Sequence, residues 1–325
     1  MEYRPLDGAS FAVEASELLQ GAWRPPALFY SPEYLKWQLS FPGPFPAPAI
    51  AGFDGSTPIG FAASVHRRVR FGSAAIDAVI VSFVAVHSNF RNRGIAAGLY
   101  AHLLAAIRER EIPAITYAVA GSAGERAIER AYPGAGFVLH SLGSFPLYGF
   151  AVRPETDVGV WTPAAAGEEL PVLGSLIDHG IAGEGRICSD PSVAQMEHYL
   201  KDPRGRQLLV ERNHEGDAIA AAWTALVEHR GGNRNHSVIT IDCAWLAPER
   251  AHALPGLAAA AVRVWPEPGS PGPVIVQASS LCGFDPQALR KAGFRQIATP
   301  FQGYVAAAGA GHPFCEARGS NLEVV

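Results

Sequence analysis

Cysteine is scarce in this chain. There are four in 325 residues (Cys188, Cys243, Cys282 and Cys315), far apart and with no C-x-x-C pair. That spacing excludes a disulfide framework and a zinc ribbon, so a reducing cytoplasm is the expected setting. Charge is also sparse, at 17% Asp, Glu, Lys and Arg, with 26 basic against 30 acidic residues. So small an imbalance excludes a strongly basic nucleic-acid binder, and no nucleic-acid partner is expected. Long apolar runs are missing too. No stretch approaches the roughly 18–20 residues of a membrane span, and MEYRPLDGAS lacks the basic and apolar regions of a signal peptide. No membrane partner is expected. Glycine and proline are plentiful, 34 and 26, yet they follow no triplet, which excludes a collagen-like chain. His214, His229 and His236 are not spaced as metal ligands, and no metal is expected.

The length suffices for two cores of ordinary size, and the sequence repeats itself at that scale. ERAYPGAGFVLHSLGSFPLYGF and LRKAGFRQIATPFQGYVAA both read as a helix end, a Gly-Phe pair and then strands, with Gly136 and Gly293 as counterparts. SPEYLKWQ (31–38) is similar to SDPSVAQMEHYL (189–200), and AIAGFDGSTPIGFAAS to LVERNHEGDAIAAAWT. Three landmarks at nearly one offset imply two copies of one fold. Each copy reads as an α/β unit with a mixed sheet, in the order β-β-β-α-β-α-β-β. In the first, 49–53 and 58–71 form a hairpin turned by Asp54-Gly55. Residues 74–86 are a strand, 94–110 a helix, 114–120 a strand, 124–132 a helix and 137–152 two strands. The second copy places strands at 208–212, 218–229 and 236–246, a helix at 249–264, a strand at 273–278, a helix at 285–292 and strands over 294–308. The expected domains are 1–150 and 151–310, with the joint at 151–165 and a tail at 311–325. The first 150 residues carry 12 basic and 11 acidic side chains, the remainder 14 and 19. An anionic ligand is better received by the first copy.

The most informative stretch is FVAVHSNFRNRGIAAGLYAHLL (83–104). A strand gives way to a short loop, and a helix opens at Gly94. A helix start leaves several N–H groups unpaired at the positive end of the macrodipole, which makes a seat for phosphate. Gly94 lets the backbone approach, Ala96 keeps the next contact small, and Arg91 and Arg93 add charge.

Strand VAV followed by Arg91-x-x-Gly94-x-Ala96 resembles the R/Q-x-x-G-x-G/A pyrophosphate loop of the GCN5-related N-acetyltransferase (GNAT) superfamily. Downstream, Tyr132-Pro133-Gly134-Ala135-Gly136-Phe137 is similar to the family's Tyr four residues before a Gly-Phe pair. The resemblance covers about 50–150 and implies two tandem GNAT-like domains. It implies acetyl-CoA, or another acyl-CoA, as co-substrate, with the diphosphate held by Arg91, Asn92, Arg93, Gly94, Ile95, Ala96 and Ala97. It implies that the pantetheine arm pairs with the main chain of Val84, Ala85 and Val86. Transfer would be direct, from thioester to amine, so holding both reactants together is much of the catalysis. Tyr132 falls where the family places the acid for the departing thiolate.

The general base is not marked. The strand VIVSFVAV carries Ser82 where relatives often have a Glu. Asp77 and His66, on the adjoining hairpin, are the nearest titratable candidates, with a water relay as the other route. His87 reads as structural or solvent-exposed. Glu125 stands where the family often has Asn, a departure near the acyl arm. Phe29, Tyr30 and Tyr34 are the expected acceptor walls, with Trp23 and Trp37 nearby. Arg68 and Arg70 share a strand face and read as solvated rather than as partners of a CoA phosphate. In the second copy the stretch APERAHALPGLAAAA has no phosphate loop, and Pro255 withholds an N–H where one is needed. That copy reads as degenerate, with Asp242 in an internal hydrogen bond. The expected activity is N-acetyl transfer to a primary amine of a small molecule or peptide. The alternatives are a non-catalytic acyl-CoA sensor and transfer from a non-acetyl thioester. A homodimer is left open.

Overall fold

The computed structural model describes residues 1–23, 27–165, 167–178, 187–231, 236–265, 274–279, 284–309, 312, 317 and 320–321. Cys282, Cys315 and most of the expected tail lie outside them. The first half runs β1 (Glu2–Pro5), α1 (Ala12–Ala22), β2 (Ala27–Leu28), α2 (Pro32–Leu39), β3 (Ala49–Asp54), β4 (Thr57–Phe71), β5 (Ala74–Val86), α3 (Ile95–Arg108), β6 (Ala114–Val119), α4 (Ala123–Gly134), β7 (Val138–Phe145) and β8 (Leu147–Val152). The second runs β9 (Trp161–Pro163), α5 (Glu169–Asp178), β10 (Ile187–Ser189), α6 (Val193–Tyr199), β11 (Gln207–Arg212), β12 (Ala218–Arg230), β13 (His236–Trp245), α7 (Leu254–Val264), β14 (Val274–Ser279), α8 (Pro286–Lys291), β15 (Arg295–Gln296), β16 (Phe301–Ala307) and β17 (Ser320–Asn321). The two runs match element for element over most of their length, as the internal repeat predicts.

Two mixed sheets result, of nine and eight strands. The first has the order β1-β3-β4-β5-β6-β16-β7, with β10 on β4 and β17 on β10. The second has the order β15-β8-β14-β13-β12-β11-β9, with β2 attached to β12. Each copy therefore lends a late strand to the interior of the other's sheet. β8 sits between β14 and β15, and β16 sits between β6 and β7. A cut between residues 150 and 151 passes through β8, and the sheets cross it: the first takes in β10, β16 and β17 from the second half, and the second takes in β2 and β8 from the first. Sequence periodicity could not show this, because a strand's alternation fixes which face it buries and not which neighbour it joins.

Helix α3 forms for the expected reason. Ile95, Leu99, Leu103 and Ile107 recur every four residues and are all buried. Truncating one to Ala costs about 2–5 kcal/mol. The expected helix over 249–264 is divided. A 3₁₀ segment spans Pro248–Ala253, and the α-helix starts only at Leu254, with Pro255 in its first turn. The expected joint holds an edge strand, β9, paired with β11.

Helices α1, α2, α5 and α6 fill one shared core between the sheets, built from Leu18, Leu35, Trp37, Phe61, Leu173, Tyr199, Trp223 and their neighbours. Its centre is a reciprocal contact between equivalent helices. Trp37 Nε1 donates to the His198 carbonyl and His198 Nε2 donates to the Trp37 carbonyl, both at 2.8 Å. Their rings stack at 5.3 Å. The two copies thus pack about a local pseudo-twofold.

Candidate acyl-donor site

The start of α3 is held open by left-handed backbone. Asn92 has φ +61° and Gly94 φ +77°. A Cβ on Gly94 would meet nothing within 4 Å, so the glycine serves the backbone angle and not a tight contact. His87 Nδ1 accepts from the Asn89 amide at 3.3 Å and caps the short 3₁₀ turn Ser88–Phe90, a structural role. The amides of Asn92, Arg93, Gly94, Ile95, Ala96 and Ala97 find no hydrogen-bond partner among the described residues. They form one run at the positive end of a 14-residue helix. Arg91 donates to the Ala22 carbonyl and so ties the loop to the end of α1. Arg93 lies over the Phe90 ring at 5.2 Å.

Beside this loop the sheet splits. β5 and β6 are parallel partners only from Val79↔Ala114 to Val81↔Thr116. Beyond that point both continue unpaired with each other. The cause is a bulge. Phe83 takes φ +56°, and Phe83 and Val84 together face Ala62, between the pairs Ala63↔Ser82 and Phe61↔Ala85. The extra residue bends β5 away. Ala85 and Val86 remain on the β4 ladder, which leaves their other edge turned to the split. A cleft of about 390 Å³ fills the opening. It is lined by Ile80 to Val84, Thr116 to Val119, Tyr100, Ser122, Ile128 and Phe301, with Trp23, Leu28 and Tyr30 at the far mouth.

The expected catalytic side chains are not gathered there. Tyr132 is fully buried in the core behind the cleft, among Leu103, Ile128 and Phe137. Its hydroxyl is sealed without a hydrogen bond of good geometry, and burial pushes its pKa well up, with Tyr100 adding to the rise and the Thr116 hydroxyl opposing it. His66 is buried on β4. Its Nε2 donates to the Phe45 carbonyl at 2.6 Å, and burial lowers its pKa against that bond and the Asp77 charge. Gly43 lies flat on its ring, where a Cβ would come within 2.2 Å. Asp77 is exposed, opposite Arg68 on the hairpin. Neither lines the cleft. Glu125 is tied to the Gly121 amide at 2.5 Å and the Tyr304 hydroxyl at 2.9 Å, with Glu129 at 3.2 Å from the same hydroxyl. Arg68 and Arg70, expected to be solvated, instead face the buried carboxylate of Asp190 at 3.9 and 3.2 Å.

Of the expected acceptor walls, Tyr30 reaches the cleft and the other two do not line it. Tyr30 meets Trp23 at 5.4 Å and Phe83 at 5.2 Å, and burial raises its pKa. Phe29 belongs to the second sheet's surroundings. Its amide donates to the Glu228 carbonyl at 2.8 Å, and Arg230 covers its ring at 3.2 Å. Tyr34 is buried, with its hydroxyl 2.6 Å from Gln38 Nε2 and Arg204 above its ring at 4.2 Å.

Sequence reading missed a buried ionic quartet between the copies. Arg206 contacts Asp202 at 3.2 Å and Asp242 at 2.9 Å, and Arg204 contacts the same two at 2.9 and 3.6 Å. Burial alone would raise the Asp202 pKa, but Arg206 and Arg204 hold it below the usual value. It missed Tyr100 as well, because Tyr100 sits one position beside the α3 stripe. Among the described residues, no group of three or more His, Cys, Asp or Glu is placed to hold a metal, and no helix is long and apolar enough to cross a membrane.

The corresponding place in the second copy is closed. Val158 approaches α7 so closely that a Cβ on Gly256 would lie 3.0 Å from its carbonyl oxygen. Trp161 Nε1 donates to the Ala253 carbonyl at 3.2 Å, and Arg250 pairs with Glu211 at 2.6 Å.

Residues 12–137 match the acetyltransferase (GNAT) family. The whole chain is similar in fold to N-myristoyltransferase of Saccharomyces cerevisiae, solved with bound myristoyl-CoA, at TM-score 0.71 and 10% identity, covering 99% of this chain and 89% of that one. A GCN5-related N-acetyltransferase from Anabaena variabilis is similar at TM-score 0.58 and 14% identity, covering 95% and 74%. No curated protein sequence matches the chain. The run of open amides and the split sheet both lie in the matched segment: residues 12–137 match the GNAT acetyltransferase family, within a fold that repeats the same architecture in its second half.

Proposed function

We propose that the protein is an acyl-CoA-dependent N-acyltransferase whose donor site lies in the first copy. The run of free amides from Asn92 to Ala97 at the head of the split sheet carries this reading. In it the diphosphate rests on those amides, and the pantetheine arm follows the open edge of Val84, Ala85 and Val86. The thioester then reaches the bulge at Phe83, where the displaced main chain can donate to its carbonyl. A hollow of about 610 Å³ between α3 and α4 begins at Ala96 and Ala97 and gives room to the nucleotide end. The acceptor is a primary amine of a small molecule or peptide, entering past Trp23 and Tyr30. It attacks as the free base, and the aromatic walls reduce access of water to the thioester.

Acetyl is the donor we favour. The apolar lining by Ile80, Val81, Ile128 and Phe301 also suits longer chains, and the yeast fold neighbour was solved with myristoyl-CoA. One observation favours a second reading, a binding module without transfer: His66 and Asp77 lie off the cleft. Calorimetry with acetyl-, hexanoyl- and myristoyl-CoA, followed by thiol release across an amine panel, decides between these readings. Binding in the micromolar range with amine-dependent release is the expected result. Binding without release for any amine selects the module, and no binding refutes both.

A further inference from the structure

The cleft is faced by a phenol that the family motif does not single out. Tyr100 lies on the flank of α3 turned to β6 and α4, and it lines the cleft together with Val81, Ser82, Thr116 and Ile128. Tyr132 packs behind it, ring to ring at 6.3 Å, with its hydroxyl sealed in the core. The Tyr100 hydroxyl makes no hydrogen bond with any described group and is not among the sealed polar atoms. It is thus unsealed and free to donate, on a side chain that lines both this cleft and the hollow between α3 and α4. A phenylalanine would fill the same hydrocarbon volume, so the core does not require the oxygen.

On the donor-site reading given above, we propose that Tyr100 is the hydrogen-bond donor to the sulfur of the bound thioester. It is then a catalytic residue, in the role that the sequence motif gives to Tyr132. In the step the amine lone pair forms the C–N bond at the carbonyl carbon. The C–S bond breaks and its electron pair stays on sulfur. The surplus proton of the amine passes to water. Tyr100 stabilises the thiolate without surrendering its own proton. Burial has pushed its pKa up to about 12, above the roughly 8.5 of a thiol, so the proton stays on oxygen.

The test needs no acceptor. CoA itself is the probe, and the thiol of bound CoA is titrated by thiolate absorbance in wild type, Tyr100→Phe and Tyr132→Phe. Calorimetry first establishes that all three bind CoA within about twofold. A hydrogen bond to an ionised group is among the stronger ones. The thiol in the wild-type complex is therefore expected to titrate about one pH unit lower than in Tyr100→Phe, with Tyr132→Phe following wild type. Turnover of the best amine in Tyr100→Phe should fall about tenfold, with the acetyl-CoA KM unchanged. Coincident titrations of wild type and Tyr100→Phe overturn the assignment, as does a shift that appears in Tyr132→Phe instead. Failure of wild type to bind CoA overturns the donor-site reading and Tyr100 with it. Normal binding with unshifted titration overturns Tyr100 alone.

Discussion

At the head of α3 a run of amides faces outward. At the head of α7, in the same place in the other copy, a 3₁₀ segment, Pro255 and the Val158 carbonyl leave no such seat. The strands behind the two helices differ in the same sense. β5 and β13 each part from a parallel neighbour after three paired residues and carry a bulge at the equivalent position. In the first copy the bulge region presents Ser82 to a cleft. In the second it presents Asp242 to two arginines. One backbone plan thus supports an open cleft where amides are left unpaired, and a buried strut where polar groups are satisfied by one another.

Four experiments break or sharpen this contrast. Asp242→Asn removes one carboxylate from the quartet and leaves buried guanidinium charge uncompensated, at a cost of about 3–5 kcal/mol. Urea denaturation should show that loss, while calorimetry at low temperature shows acetyl-CoA affinity intact. A parallel loss of affinity would place the quartet in the donor site. Gly94→Asp puts a carboxylate where the diphosphate is expected and should weaken acetyl-CoA binding at least about a hundredfold, or roughly 2.7 kcal/mol, with the melting temperature lowered only by the strain of a side chain at φ +77°. Gly256→Asp should lower the melting temperature against Val158 without touching affinity. Equal effects of the two would erase the distinction between the copies.

The acid limb of the stability curve is a third measure. Asp202 has a lowered folded-state pKa. Its contribution is therefore full above the unfolded value near 3.8 and is lost as pH falls through the lower folded value. Wild-type stability should drop over that range, and Asp202→Asn, already weaker at neutral pH, should show a flatter limb. The smallest effect is at the pseudo-twofold. Trp37→Phe deletes one of the two reciprocal bonds at a cost of about 1 kcal/mol in denaturation, while the His198 carbonyl keeps the Lys201 amide at 3.0 Å. A null result there would mean that packing alone holds the copies together.

Much of this was legible along the chain. The stripe Ile95, Leu99, Leu103 and Ile107 marked α3. Asp54-Gly55 marked the hairpin turn. The repeated Gly-Phe phrases marked two copies. Each is a local signal, set by residues within a few turns of one another. The candidate site was legible only in part. The open amides from Asn92 to Ala97 could be expected because a loop and its helix are contiguous. The burial of the Tyr132 hydroxyl could not be read, since it depends on Tyr100 and Thr116, distant in sequence. His66 and Asp77 were near the right strand, but Phe45 and Gly43 seal one, and the other sits at the exposed end of the hairpin.

The chain order of residues determined by itself that the molecule is a doubled α/β unit whose first copy opens a helix on a run of unpaired amides. Periodicity, turn chemistry and unpaired helix-start amides are properties of short segments. Tertiary structure decided which strands trade places, which phenol faces the cleft, and that Asp202, Arg204, Arg206 and Asp242 close into one neutral cluster. Those outcomes depend on desolvation and on pairing between segments far apart in the chain, and burial does not exist until the two copies meet.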